Sequence, residues 1–190
     1  MSDNKGNFNS LPSGKVAIVY SDGRVMEDNI DGLVIIPIEH HNIHEGKYFI
    51  MTDYDLDVDN ATPKYWRIKT PDTAVRIHFS SSISVDTAGL VEFYENPTIN
   101  AGGTELTVYN SKRDSSNTTT TKIYKDTTTS NDGTLLEVVY LGTNNNRTKI
   151  GGITREAAEI VLNQNEDYII KYTPDSDGAT VAVVFEFYEV

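Results

Sequence analysis

Ala179-Thr180-Val181-Ala182-Val183-Val184-Phe185-Glu186-Phe187-Tyr188-Glu189-Val190 is the stretch that decides the fold of this chain. Alternate residues of a strand face opposite sides, so Val181, Val183, Phe185 and Phe187 share one face while Thr180, Glu186 and Tyr188 share the other. Its Glu186-Phe187-Tyr188-Glu189 repeats Glu92-Phe93-Tyr94-Glu95 from half a chain earlier. Two copies of one amphipathic strand point to an all-β body.

The same period extends through the sequence. Trp66 and Ile68 alternate with Arg67 and Lys69, and Val75, Ile77 and Phe79 alternate with Arg76 and His78. Residues 90–95, 105–110, 121–124, 135–141 and 168–172 read as further strands, with polar loops at 114–121 and 142–147. The single helical candidate, 154–162, ends in Ile160-Val161-Leu162. Those β-branched residues lead through Asn163-Gln164-Asn165 into another strand, so strand, loop, strand is the preferred reading. The expected fold is an antiparallel β-sandwich, jelly-roll-like, over residues 41–190.

Residues 1–40 read differently. Residues 1–14 form a polar tail, Ser21-Asp22-Gly23 marks a small hairpin after residues 15–20, and Pro37 gives residues 32–38 the look of an edge strand. The segment is expected to be an anchoring arm. Val16, Ile18, Leu33, Ile35 and Ile36 are its candidate interface residues, because they are too apolar to leave exposed and too few for a core of their own.

The chain carries 28 acidic against 16 basic residues, a formal net charge of −12. That charge repels phosphate backbones and anionic lipid, which excludes nucleic acid and membrane surfaces as expected partners. There is no cysteine, hence neither a disulfide nor a thiolate metal site. The first residues lack an export signal, so synthesis in the cytosol of a host is expected.

Two clusters invite a metal. His41 and His44, next to Glu45, have ligand chemistry, but Ile36-Pro37-Ile38 before them and Gly46 after them read as a strand-to-loop passage that does not converge the rings. Asp53, Asp55, Asp57 and Asp59 alternate as in a calcium loop. However, counting from Asp55 puts Asn60 where glycine is needed and Trp66 where a bidentate glutamate belongs. His41, His44, Asp55 and Asp57 remain weak metal candidates, and a solvated acidic face is the commoner outcome. No nucleophile elbow, P-loop or dinucleotide fingerprint occurs, so neither a cofactor nor an enzymatic activity is expected. Tyr54, Tyr65, Tyr94 and Tyr188 are the aromatics that a sugar-binding surface would use.

Three ordered motifs carry a resemblance: His41-Asn42-Ile43-His44-Glu45-Gly46-Lys47, Pro63-Lys64-Tyr65-Trp66-Arg67-Ile68-Lys69-Thr70, and Glu92-Phe93-Tyr94-Glu95-Asn96-Pro97-Thr98. Together with Asp132-Gly133-Thr134-Leu135-Leu136, Gly151-Gly152 and the terminal strand, they make residues 40–190 resemble small virion proteins of tailed bacteriophages. The resemblance implies a non-enzymatic head decoration or auxiliary capsid protein on the outer capsid surface. It also implies the major capsid protein or neighbouring virion subunits as partners, and self-association, with a trimer expected. The alternative from another class is a receptor- or carbohydrate-binding module of a head or tail fibre.

Overall fold

A computed structural model describes residues 37–142 and 159–190. The anchoring arm with Val16, Ile18, Leu33, Ile35 and Ile36, the hairpin, and residues 154–158 of the helical candidate lie outside the described residues. The described residues open with a helix α1 (Ile38–His44), followed by β1 (Tyr48–Val58), β2 (Lys64–Lys69), β3 (Ile77–Val85) and β4 (Gly89–Glu95). Short strands β5 (Thr98–Ala101), β6 (Thr104–Glu105), β7 (Tyr109–Asn110), β8 (Lys122–Lys125) and β9 (Thr128–Asn131) come next. The chain then runs through β10 (Thr134–Leu141), β11 (Ile160–Leu162), β12 (Asp167–Pro174) and β13 (Ala179–Glu189).

These strands form an antiparallel β-sandwich. Sheet I has the order β11-β3-β13-β1-β7, sheet II the order β10-β4-β12-β2-β8-β6, and β5 pairs with β9 as a separate ribbon. From β1 to β4 and again from β10 to β13, successive strands alternate between the sheets, so each hydrophobic face meets a face contributed by its sequence neighbour. That is why period-2 patterning suffices to build the core. Sheet I contributes Phe49, Met51, Phe79, Ile83, Val181, Val183, Phe185 and Phe187; sheet II contributes Trp66, Ile68, Val91, Phe93, Ile123, Tyr168, Ile170 and Tyr172. Phe185 sits at the centre, edge-on to Trp66 with centroids 6.5 Å apart and to Phe79 at 5.4 Å. Burying each such side chain contributes about 1.5–3 kcal/mol.

Two readings of the sequence need correction. The passage through His40-His41-Asn42 is helical, not a strand-to-loop transition. Pro37 just before the first helical residue has the fixed φ a helix start tolerates, and Gly46, at φ 68°, ends it in the left-handed conformation. The bonds Gly46 N–H to Ile43 O, 3.0 Å, and Lys47 N–H to Asn42 O, 2.9 Å, close the turn. Residues 105–110, expected as one strand, are instead divided: β6 pairs with β8 in sheet II and β7 with β1 in sheet I. The connection through Leu106, Thr107 and Val108 crosses from one sheet to the other. Leu106 N–H still donates to Ile123 O at 2.8 Å, and Leu106 and Val108 pack on the core. By contrast, Ile160-Val161-Leu162 forms a strand as expected, pairing with β3 at Ile77–Phe79.

Candidate functional site

β1 explains what happened to the aspartate row. Its inner face begins apolar, with Phe49 and Met51 buried, and continues with Asp53 and Asp55 pointing the same way. These carboxylates meet β2 and β8 of sheet II. Asp53 accepts from Trp66 Nε1 at 2.9 Å and from Lys125 Nζ at 3.2 Å, while Asp55 accepts from Lys64 Nζ at 2.6 Å. Lys64 also donates to Asp126 at 2.6 Å. The hydrogen bond from Lys64 holds the Asp55 carboxyl below its ordinary range. For Lys64, burial favours the neutral amine, but its bonds to Asp126 and Asp55 outweigh that and raise its pKa.

A bulge between Asp55 and Val58 turns Asp57 to the surface. There, Asp55, Asp57, Lys64, Tyr65, Asp126 and Thr129 are among the residues that line an open groove of about 460 Å³. His41 and His44 lie before the opposite end of β1, which alone separates them from Asp55 by roughly 23 Å at about 3.3 Å per residue. The four sequence-derived metal candidates are therefore not brought together. In the helix, His44 Nε2 faces His40 Nε2 at 2.9 Å, an i, i+4 pair that the His41–His44 spacing did not single out. Among the described residues, no group of three or more His, Asp or Glu is arranged to hold a metal ion.

Other charged groups are engaged with one another on the sheet faces. Arg67 grips Asp167 through both Nε, 2.8 Å, and Nη2, 3.0 Å, with its guanidinium 5.1 Å from the Tyr124 ring centroid. On the same outer face of sheet II, Lys171 bonds Asp132 at 3.0 Å and lies 3.6 Å from Glu92. Burial disfavours the Lys171 charge, but these acids prevail and its pKa is raised. Tyr94, half-buried beside Glu92 and donating to it at 2.7 Å, is pushed up to about 12, first by burial and then by that bond. On sheet I, Tyr188 stacks on His78 at 4.4 Å and donates to Glu159 at 2.9 Å, and His78 Nδ1 lies 2.6 Å from the same carboxylate. Of the tyrosines expected to meet sugars, Tyr188 is buried, Tyr65 and Tyr94 are half-buried, and Tyr54 is exposed.

What sequence reading missed is the place of β10, whose residues 135–141 form a strand as expected. Leu135, Leu136, Val138 and Tyr140 are 42–53% exposed although all four are large and apolar. Val138 and Tyr140 pair in register with the outward Glu92 and Leu90 of β4, while Glu137 and Val139 face inward opposite Phe93 and Val91. Leu135-Leu136-Glu137-Val138-Val139-Tyr140-Leu141, apolar on both faces, carries the signature of a central strand. Among the described strands, the topology places it at an edge. Among the described residues, no helix is long and apolar enough to cross a membrane. In comparisons with family models, curated proteins and solved structures, nothing matches this chain.

Proposed function

We propose that this chain is a non-enzymatic virion structural protein of a tailed bacteriophage, decorating or stabilising the outer surface of the head through its β-body. The observation that carries the reading is the β10 edge, where four large apolar side chains stand half-exposed on a strand that pairs, among the described strands, only with β4. An edge of that kind recruits another chain, and a protein working as a monomer in solution is expected to blunt it. The rest of the charged inventory supports a rigid structural role. Asp53 with Lys125, Asp55 with Lys64, Asp167 with Arg67 and Asp132 with Lys171 neutralise one another in fixed pairs. The motifs behind the phage resemblance map onto α1 with its cap, β2 and β4, which build the body. Net charge −12 suits a position outside the DNA-filled interior.

The partners of this reading are the major capsid protein or neighbouring virion subunits, including copies of the chain itself. Quantitative mass spectrometry of purified particles, with heads and tails separated, tests it. Many copies per head are expected, and absence from the particle would overturn the proposal. A second reading, a receptor- or carbohydrate-binding module, is favoured by the groove. Its carboxylates, threonine hydroxyls and Lys64 offer both acceptors and donors to a polyhydroxylated ligand, within the usual pocket range of about 300–1,000 Å³. A few copies located on fibres, with glycan binding lost in Asp57→Ala, would favour it.

A further inference from the structure

The two main sheets have four edges, and among the described residues three of them end in very short strands. β11 has three residues, and β6 and β7 have two each. β10 has eight. Shortness is one way in which proteins prevent edge-to-edge pairing; lysine, proline and bulges are others. β10, Thr-Leu-Leu-Glu-Val-Val-Tyr-Leu, contains no Lys, Arg or Pro. Its one irregularity lies between Leu135 and Glu137, leaving Glu137 to Leu141 in unbroken register with β4.

We propose that β10 pairs antiparallel with β10 of a second copy about a two-fold axis, joining the two second sheets edge to edge. The inference rests on the assembly reading of this edge and deepens it by naming the partner. Residues directly opposite in an antiparallel pair share a face, so a two-fold axis must pass through a residue, not between two. Centring on Glu137 would set two carboxylates opposite each other, which is destabilising. Centring on Val138 gives the longest overlap, residues 135–141. It sets Leu136 against Tyr140 of the second copy, Val138 against its own mate, and Glu137 against Val139 of the second copy.

Every outward position is then apolar against apolar. The strand is its own complement, which a sequence selected to bind an unrelated chain has no need to be. The contact is isologous, so it closes as a dimer and does not generate the trimer expected from the resemblance.

Charge and size fix how the pair behaves. Each copy carries −12 overall but a single carboxylate on β10, so repulsion between copies acts at long range and is screened by salt over about 8–10 Å. Association therefore strengthens as ionic strength rises, opposite to a charge-driven complex. A strand of this length spans roughly 24 Å at about 3.4 Å per residue. The contact stands at the small end of specific interfaces, below about 1,200 Å², which makes the dimer reversible and dependent on concentration.

The test uses the full chain. Sedimentation equilibrium from about 1 to 500 µM, a range suited to small interfaces, is expected to show a monomer–dimer equilibrium that shifts toward dimer in high salt. Val138→Lys, a replacement at a half-exposed position, is expected to abolish the dimer without changing the melting temperature. Because the chain has no cysteine, Val138→Cys is a clean probe: facing its mate across the axis, it is expected to oxidise to a covalent dimer. Tyr54→Cys, exposed on the other sheet, is expected not to. A wild type that stays monomeric throughout the range overturns the proposal, and so does a dimer that persists in Val138→Lys or cross-links equally at Tyr54→Cys. A monomer that is nevertheless abundant on purified heads overturns the pairing alone and leaves the virion reading standing.

Discussion

Replacing Glu189 with alanine should loosen the loop that leads into β8 and cost about 2–4 kcal/mol. The Glu189 carboxylate accepts from Thr119 Oγ1 at 2.6 Å, from Thr120 N–H and Thr121 N–H at 3.0 Å each, and from Thr121 Oγ1 at 2.9 Å. Hydrogen bonds to a charged group contribute about 1.5–3 kcal/mol apiece, but simple addition overstates the loss. Thr120 is exposed, so its groups rehydrate once the carboxylate is gone. Thr121 is fully buried; its hydroxyl loses its acceptor at about 1–3 kcal/mol, while its N–H keeps only Thr119 Oγ1 at 3.0 Å and loses the charged acceptor at about 1 kcal/mol. The buried Thr121 sets the magnitude. With a urea m-value of about 1–3 kcal/mol/M, the midpoint should fall by roughly 1–2 M while the slope stays constant. Glu189→Gln, which keeps an acceptor oxygen without the charge, should lose about half as much. An alanine variant within about 0.5 kcal/mol of wild type, the usual range of surface substitutions, would refute the reasoning, because it would mean that Thr121 finds other partners at no cost.

Asp53→Ala removes the acceptor of the fully buried Trp66 indole and should destabilise by about 1–3 kcal/mol; Trp66 is the single tryptophan, so its fluorescence reports the unfolding directly. Gly133, in the turn before β10 at φ 100°, has the Glu95 carbonyl where a side chain would stand, and Gly133→Ala should cost at least about 2 kcal/mol by chemical denaturation. Burial opposes ionisation of Asp132 and Asp86, but bonds from Thr129 and Lys171 in the first case and from Thr180 in the second hold their folded pKa below the ordinary 3.8, as Lys64 does for Asp55. A depressed acid contributes its stability above its unfolded pKa and loses it as pH falls through the folded value, so stability should be level down to about pH 4 and decline below it. Asp132→Asn should flatten part of that decline in acid titrations followed by circular dichroism.

The centre of the sandwich is legible because β2, β4 and β13 alternate and, with Tyr168 and Ile170 of β12, face one core. β1 was not read as a strand, although at eleven residues it equals β13 as the longest. Asp53 and Asp55 occupy its inner face, and only tertiary partners, Trp66, Lys125 and Lys64, make acids acceptable there. β3 was read only to Phe79, since Ser80-Ser81-Ser82 carries no apolar signal and is held by pairing with β13. α1 escaped because seven residues give too short a window for a period of 3.6, leaving Pro37 and Gly46 as the signals. The groove joins residues near 57, 64 and 126 through the β-bulge and the β8–β9 turn, a proximity that no local pattern encodes. For β10, the strand is legible in its apolar run but its place in the sheet is not, because pairing partners are set by tertiary topology.

If β10 is the assembly surface, the most direct measurement is the copy number of Val138→Lys on particles assembled with it, relative to wild type. A fall of at least about tenfold is expected, the loss of avidity when paired copies become single ones, with the melting temperature of the purified protein unchanged. Full incorporation of a folded Val138→Lys protein would contradict that assignment.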